Sequence, residues 1–179
     1  MERPQNSVVE VEPLQIFYFS DLYTVILFFI LWPAFQVIAA LLSLVMKNSR
    51  FSSKSFLYRC RKWEDGGKIY QKIFRVRCWK KYLPDGGALI KGGYAKKHLM
   101  TLSKESLEMF LVESCRAEFS HFLAILPFWV FGFFAPPFVI ILMFLYAIAV
   151  NMPCIITQRY NRPRIERLLE ERERTGGGM

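Results

Sequence analysis

Residues 119–157 read FSHFLAILPFWVFGFFAPPFVIILMFLYAIAVNMPCIIT and are the longest apolar run of the chain. Its 39 positions are mostly apolar, whereas about 20 apolar residues are enough for one helix to cross a bilayer. Gly132, Pro136 and Pro137 interrupt the run near its middle. We therefore expect a tight hairpin of two membrane helices, over 103–134 and 137–158. Ser103 is a good N-cap for the first of them, with Glu105 in the first turn.

A second apolar run lies upstream. Residues 22–46 read LYTVILFFILWPAFQVIAALLSLVM and carry no charge, which predicts another transmembrane helix with a mild kink at Pro33. The expected fold is an all-α integral membrane protein with about three transmembrane helices. Region 1–21 precedes them, a basic interfacial region occupies 47–102, the helical hairpin spans 103–158, and an Arg-rich tail covers 159–179.

The charge distribution predicts an orientation in the cell membrane. Residues 47–104 hold sixteen Lys and Arg but three acids, whereas residues 1–21 hold one Arg and four acids. The positive-inside rule then places the basic region in the cytoplasm and the N-terminus outside. With three spans the C-terminus is also cytoplasmic. A net charge of +9 can also indicate nucleic-acid binding, but apolar residues make up 53% of the chain in runs long enough to span lipid, so we expect no nucleic-acid partner.

The basic region mixes cations with apolar side chains. Residues 68–83, KIYQKIFRVRCWKKYL, carry apolar residues three or four apart, as in a helix that lies in the membrane interface. A short strand over FRVRCW is the alternative. The following LPDGGALIKGGY predicts a tight glycine-rich loop, either close to a ligand or a plain turn.

The segment ESCRAEFSH, residues 113–121, carries charge to the edge of the apolar run. On a helix, Glu118 and His121 lie three apart on the inward face, and Glu113 can pair with Arg116. One reading is a surface ion pair beside a packed imidazole. A second is a Glu-x-x-His metal site, but that needs a second such motif, so we expect no metal and no cofactor. A third is acid–base chemistry, in which Glu118 orients His121.

The predicted topology brings QRYNRPR, residues 158–164, to the same side of the membrane as ESCRAEFSH. Gln158, Arg159, Asn161 and Arg162 can then approach Glu118 and His121, with Asn151 about two turns deeper. The expected site is a polar, cationic pocket at the cytoplasmic leaflet, open to lipid.

Three segments together resemble one known family. They are WEDGGKIYQKIFRVRCWKKYLPDGG, KHLMTLSKESLEMFLVESCRAEFSHFLAILP and YAIAVNMPCIITQRYNRPR, which cover most of residues 63–164. They are similar to the glycosyl-4,4'-diaponeurosporenoate acyltransferase family, and the E-x-x-R-A-E-x-x-H spacing and QRYNRPR are the specific features. The resemblance implies a small membrane enzyme that esterifies a sugar hydroxyl of a glycosylated carotenoid acid with a fatty acyl chain. The implied partners are membrane lipid, this glycolipid acceptor and an acyl donor, acyl-CoA or an acyl carrier, with homo-oligomerisation left open.

The hypothesis for the mechanism makes His121 the base, oriented by Glu118, with His98 as the rival base. His98 is followed by LMTLS, so the H-x-x-x-x-D motif of glycerolipid acyltransferases is missing. Arg116, Arg159 or Arg162 would bind donor phosphates or the oxyanion. The expected substrate-binding residues are Glu113, Arg116, Trp79, Lys80, Asn151, Gln158, Arg159, Asn161 and Arg162.

A non-enzymatic scaffold that recruits partner enzymes to the membrane is the alternative function. It predicts that Glu118 and His121 are exposed or surrounded by filling side chains. The enzyme reading predicts that both are buried beside a lipid-sized cavity.

Overall fold

The computed structural model describes residues 15–83 and 103–176. Over these residues the chain forms helices and turns and has no strand, which confirms the all-α prediction. The α-helices are α1 (Asp21–Val45), α2 (Lys68–Phe74), α3 (Val76–Trp79), α4 (Lys104–Ile125) and α5 (Pro137–Gly176). Short 3-10 helices cover Asn48–Arg50, Lys62–Gly67, Lys80–Tyr82 and Leu126–Phe133.

Two of these helices could cross a membrane by length and composition: α1 and the part of α5 from Pro137 to Arg174. Their apolar side chains are largely uncovered, and Phe29 of α1 is 77% exposed. Such surfaces are unfavourable in water and suit lipid, so the structure indicates membrane association. α1 lies within one residue of the predicted 22–46 and runs through Pro33.

α4 and α5 form a helical hairpin, but its first arm differs from the predicted membrane helix over 103–134 and is not one of the two candidate spans among the described residues. Ser103 caps α4, since its hydroxyl accepts a hydrogen bond from the Ser106 N–H at 3.2 Å. The α-helix ends at Ile125 rather than near 134, and Leu126–Phe133 continues as a 3-10 helix. The change follows Pro127, which has no N–H for the Leu123 carbonyl; the Leu126 N–H bonds that carbonyl instead.

The second arm is longer than predicted. α5 begins at Pro137, as expected, but continues to Gly176 instead of ending near 158. It passes through Pro153 and Pro163, each of which leaves the carbonyl four residues earlier without its helical donor. Arg159 and Arg162 hold the C-terminal half of α5 in place through hydrogen bonds to α4 and to the basic region.

The helices run in alternating directions. At one end of the bundle, the Ile16 and Phe17 N–H groups donate to the Phe133 carbonyl at 2.8 and 2.9 Å, so the start of α1 meets the end of the hairpin's first arm. At the other end, the basic region packs on α4 and α5. Phe51 and Tyr58 are buried against Cys115 of α4, and Tyr70 and Val76 against Ile156 and Tyr160 of α5.

Residues 68–83 do not form one interfacial helix. Arg75 has a left-handed backbone (φ 50°), which ends α2 and starts α3 at a new angle. FRVRCW is therefore neither a strand nor part of a continuous helix. The break allows Val76 to be fully buried while Ile73 stays 60% exposed.

Candidate functional site

A buried cluster of ion pairs joins α4, α5 and the basic region. Glu118 of α4 is fully buried, and its two carboxylate oxygens accept from different arginines of α5. Arg159 Nε donates to Oε1 at 2.7 Å, and Arg162 Nη2 donates to Oε2 at 2.6 Å. Arg159 also donates through Nη1 to Glu64 at 3.0 Å. Two carboxylates and two guanidinium groups therefore neutralise each other in this cluster.

The same two arginines anchor the chain after Phe56. Arg159 Nη2 donates to the Leu57 carbonyl and Arg162 Nη1 to the Tyr58 carbonyl, each at 2.8 Å. Arg162 Nη2 also donates to the Ser114 carbonyl at 3.1 Å. Because Arg162 is 2% exposed and faces protein groups on several sides, the geometry gives it a structural role. Donor binding by Arg159 or Arg162 stays a prediction.

Glu64 is a member of the cluster that the sequence analysis did not single out. It accepts hydrogen bonds from the Tyr70 hydroxyl and from the Arg61 N–H as well as from Arg159. Burial alone raises the pKa of Glu64, but these hydrogen bonds outweigh it and lower the pKa below its ordinary value. Burial and the bond to Glu64 raise the pKa of Tyr70, so its hydroxyl remains the donor. The sequence signal for Glu64 is an acidic residue in a strongly basic region, two positions before the Gly66–Gly67 pair.

The 3-10 segment Lys62–Gly67 closes with a left-handed turn, which brings Glu64 to α5. Asp65, Gly66 and Gly67 have φ values of 46°, 59° and 81°. A Cβ on Gly67 would lie 3.0 Å from the Tyr160 carbonyl oxygen and 3.2 Å from that of Arg159. The Arg159 carbonyl is the one that Pro163 deprives of a helical donor. Glycine is needed here both for the backbone conformation and for the close approach.

His121 belongs to a separate pair deeper in the bundle. Its Nδ1 lies 2.9 Å from Oδ1 of Asn151 on α5. Asn151 is fully buried, and its Nδ2 donates to the Ala147 carbonyl at 2.9 Å. The expected arrangement in which Glu118 orients His121 is not the one observed, because both oxygens of Glu118 face arginines. One helical turn along α4 thus separates an ion-pair cluster from an imidazole–amide pair.

The predicted Glu113–Arg116 pair is formed, with Arg116 Nε donating to Glu113 at 3.1 Å. It is not a simple surface pair, since Arg116 is 6% exposed. Arg116 Nη1 donates to the carbonyls of Ser43 and Met46 at 2.5 and 3.1 Å, and Nη2 donates to Asn48. These carbonyls lie at the C-terminus of α1, which has no basic residue in its last turn. Arg116 therefore caps α1 from a neighbouring helix.

The remaining predicted residues lie around the outer part of α5. Lys80 Nζ donates to Asn161 Oδ1 at 3.0 Å and lies over the Tyr160 ring. Trp79 Nε1 donates to the Phe74 carbonyl at 2.6 Å, and Gln158 is half-buried. His98, the rival base, lies outside the described residues, as does the glycine-rich loop.

The geometry does not by itself separate an enzyme from a scaffold. Glu118 is buried, as the enzyme reading predicts, but arginine side chains fill its surroundings, as the scaffold reading predicts. Tyr58, Cys60, Glu64, Arg159, Arg162 and Pro163 line only a small depression beside it. Comparison with known proteins decides this question.

Residues 54–171 match the family model described as glycosyl-4,4'-diaponeurosporenoate acyltransferase. Relatives in Staphylococcus aureus strains bovine RF122 / ET3-1 and USA300 carry the same name, and each is 36% identical over 145 residues, which cover 81% of this chain and 87% of the relative. No solved structure matches the chain. The matched range, residues 54–171, spans the positions of the ion-pair cluster and of the His121–Asn151 pair. The scaffold alternative falls because the family is named for an acyltransferase, which is an enzyme. The chain belongs to the glycosyl-4,4'-diaponeurosporenoate acyltransferase family and is an acyltransferase.

Proposed function

We propose that the chain transfers a fatty acyl group to a sugar hydroxyl of a glycolipid of the glycosylated carotenoid acid type, with His121 as general base. The family supports the reaction class and the acceptor. The observation that carries the assignment of the base is the His121–Asn151 contact of 2.9 Å, which holds an imidazole among apolar helices. An ionisable group at such a position is costly and is a functional candidate for that reason.

In the proposed reaction, His121 removes the proton of the sugar hydroxyl while the hydroxyl oxygen attacks the carbonyl carbon of an acyl thioester. The tetrahedral intermediate then collapses, the C–S bond breaks, and the imidazolium returns its proton to the leaving thiolate. No oxidant or reductant is needed. General-base assistance of this kind accelerates a reaction by typically ~10²–10⁴.

The position of the pair suits a substrate dissolved in lipid. Eight residues of α5 separate Asn151 from Arg159, which is roughly 12 Å along the helix axis. On α4, His121 lies three residues beyond Glu118, roughly 4.5 Å along the axis, so it is about one helical turn further into the apolar part of the bundle than the ion-pair cluster. A long-chain acceptor and the acyl chain can reach this level from the bilayer, while the charged part of the donor stays at the surface.

The proposed orientation places the basic region in the cytoplasm and the N-terminus outside. The alternating helix directions support it, because they put the basic region and the C-terminal half of α5 at one end of the bundle and residues 16 and 17 at the other. The first arm of the hairpin completes the third span in this proposal. Its apolar part, residues 119–133, reaches roughly 26 Å, since a 3-10 helix rises about 2.0 Å per residue.

The proposed donor is an acyl-CoA or an acyl carrier protein, both of which are anionic. Exposed cations of the basic region are suited to attract it, namely Lys62, Lys72, Arg75, Arg77 and Lys81. Attraction by exposed charges is screened by salt. The KM for the donor should therefore rise with ionic strength, while the KM for the neutral sugar end of the acceptor should change little.

The test is acyl transfer in membranes that contain the full chain, a glycosylated carotenoid acid and an acyl-CoA, with the ester product quantified by mass spectrometry. His121→Gln should lower turnover by at least about 10²-fold, and His98→Gln is the matched control. Near-normal turnover in His121→Gln, with loss in His98→Gln, would transfer the role of base to His98. Absence of ester with any acyl donor would refute the proposed reaction.

A further inference from the structure

We propose that Asn151 is the positioning residue of His121: it fixes the neutral imidazole as the tautomer with the proton on Nδ1, so that Nε2 keeps its lone pair for the substrate. The inference rests on the proposed function only for its catalytic consequence. The tautomer itself follows from the hydrogen bonds of two side chains on α4 and α5.

The orientation of the Asn151 amide is determined by its second contact. Nδ2 lies 2.9 Å from the Ala147 carbonyl oxygen, and a carbonyl can only accept. The NH₂ group must therefore face Ala147, and Oδ1 must face His121. An exchanged amide would place two acceptors against each other in a buried position, which is unfavourable.

The tautomer of His121 follows in the same way. Oδ1 of an amide only accepts, so the ring nitrogen 2.9 Å away, Nδ1, has to donate. In a neutral imidazole the other nitrogen, Nε2, then carries the lone pair. This is the form that a general base needs before it takes a proton from a hydroxyl.

An amide is also a suitable partner for this position. Asn151 is fully buried, and a carboxylate there would need a counter-charge to offset its loss of hydration. The nearby carboxylate that could have taken this role, Glu118, already binds Arg159 and Arg162. The neutral amide directs the ring without adding a fixed negative charge that would hold it protonated.

Nitrogen-15 NMR tests the proposal directly. The chain has 2 His, so a His98→Gln variant leaves the ring of His121 as the only histidine signal. In the full chain in bicelles, labelled at histidine, we expect a protonated Nδ1 and an unprotonated Nε2 in the neutral form. Asn151→Leu should move the population toward the tautomer protonated on Nε2. Asn151→Asp retains the acceptor and should keep the proton on Nδ1, while its negative charge favours the imidazolium, in which Nε2 is protonated as well.

Gln36→Leu is the matched control, because it also replaces an amide by leucine, but on α1 and outside the His121–Asn151 pair. The tautomer of His121 in this variant should match that in the unsubstituted chain. An unchanged tautomer in a folded Asn151→Leu variant would overturn the proposal, as would a proton on Nε2 in the unsubstituted chain. If Asn151→Leu does not fold, the Asn151→Asp spectrum decides: loss of the Nδ1 proton there overturns the proposal.

Acyl transfer separates this inference from the proposed function. Asn151→Leu should lower kcat by up to about 10²-fold with little change in KM, because it removes part of the general-base contribution. If the tautomer moves while kcat does not, the positioning role stands and His121 is not the base. If His121→Gln is inactive while the tautomer in Asn151→Leu is unchanged, His121 is supported as the general base and Asn151 does not position it.

Discussion

Replacing Glu118 by Gln should destabilise the protein strongly. The substitution keeps the size of the side chain but removes the negative charge between Arg159 and Arg162. A glutamine has one acceptor oxygen, so its NH₂ group must face one of the two guanidinium donors. Arg162 is affected most, since it is 2% exposed and cannot turn to water.

The size of the effect can be worked out from the contacts. Removing one partner of a buried ion pair costs about 3–5 kcal/mol, because the remaining charge stays buried without compensation. Arg159 keeps Glu64 and the Leu57 carbonyl, whereas Arg162 keeps only backbone carbonyls. At about 2–4 °C per kcal/mol for a chain of this size, Tm should fall by roughly 6–20 °C.

The assay is thermal unfolding of the full chain in detergent, followed by tryptophan fluorescence. Glu170→Gln is the control, since this exposed residue of α5 lies outside the cluster and its substitution should change stability by no more than about 0.5 kcal/mol. The double variant Glu118→Leu with Arg162→Met removes both charges and should recover part of the loss. Below its Tm, Glu118→Gln should retain acyl transfer. A Tm within 2 °C of the unsubstituted chain, with activity abolished, would refute the structural role.

Three further outcomes follow from the packing of the same regions. Gly67→Ala should lower stability by at least about 1–2 kcal/mol, because alanine is strained at φ 81° and its Cβ meets the Tyr160 carbonyl; unchanged thermal unfolding would contradict this. Arg116→Met should lower Tm while Arg116→Lys lowers it less, since a charged donor at the end of α1 is partly retained; equal losses would count against the capping role. The pKa of Glu64 is lower in the folded protein than in the unfolded chain, where it is about 4.3, so ionised Glu64 stabilises the fold at pH values above about 4.3. The difference in Tm between the unsubstituted chain and Glu64→Gln should therefore be largest near neutral pH and shrink as the pH falls below about 4. Substitution of the exposed Asp65 by Asn is the control.

The helical elements were largely readable from local patterns. An uncharged run predicted α1, a Ser with Glu two residues later predicted the start of α4, and Pro137 marked the start of α5. These signals act within one turn of the chain, where capping and solvent preference dominate. The same patterns missed the break at Arg75 and the extension of α5 beyond 158, because both depend on contacts with distant residues.

The candidate site shows this limit most clearly. Helical spacing placed Glu118 and His121 on one face of α4, but spacing within one helix does not define the partner on the next. Arg159 and Glu64 are 95 residues apart in sequence, and His121 and Asn151 are 30 apart. These partners become defined only when helices pack.

The order of residues along the chain predicted helices, apolar runs of membrane length, and the polar residues that lie near the edges of those runs. It did so because hydrophobic length and residue spacing are local properties of a chain. The pairing of the polar groups depends instead on how the helices pack: Glu118 pairs with two arginines, Arg116 with the end of α1, and His121 with Asn151. A buried charge or amide must find its hydrogen-bond partners among the groups that packing brings within about 3 Å, and those groups come from distant parts of the chain.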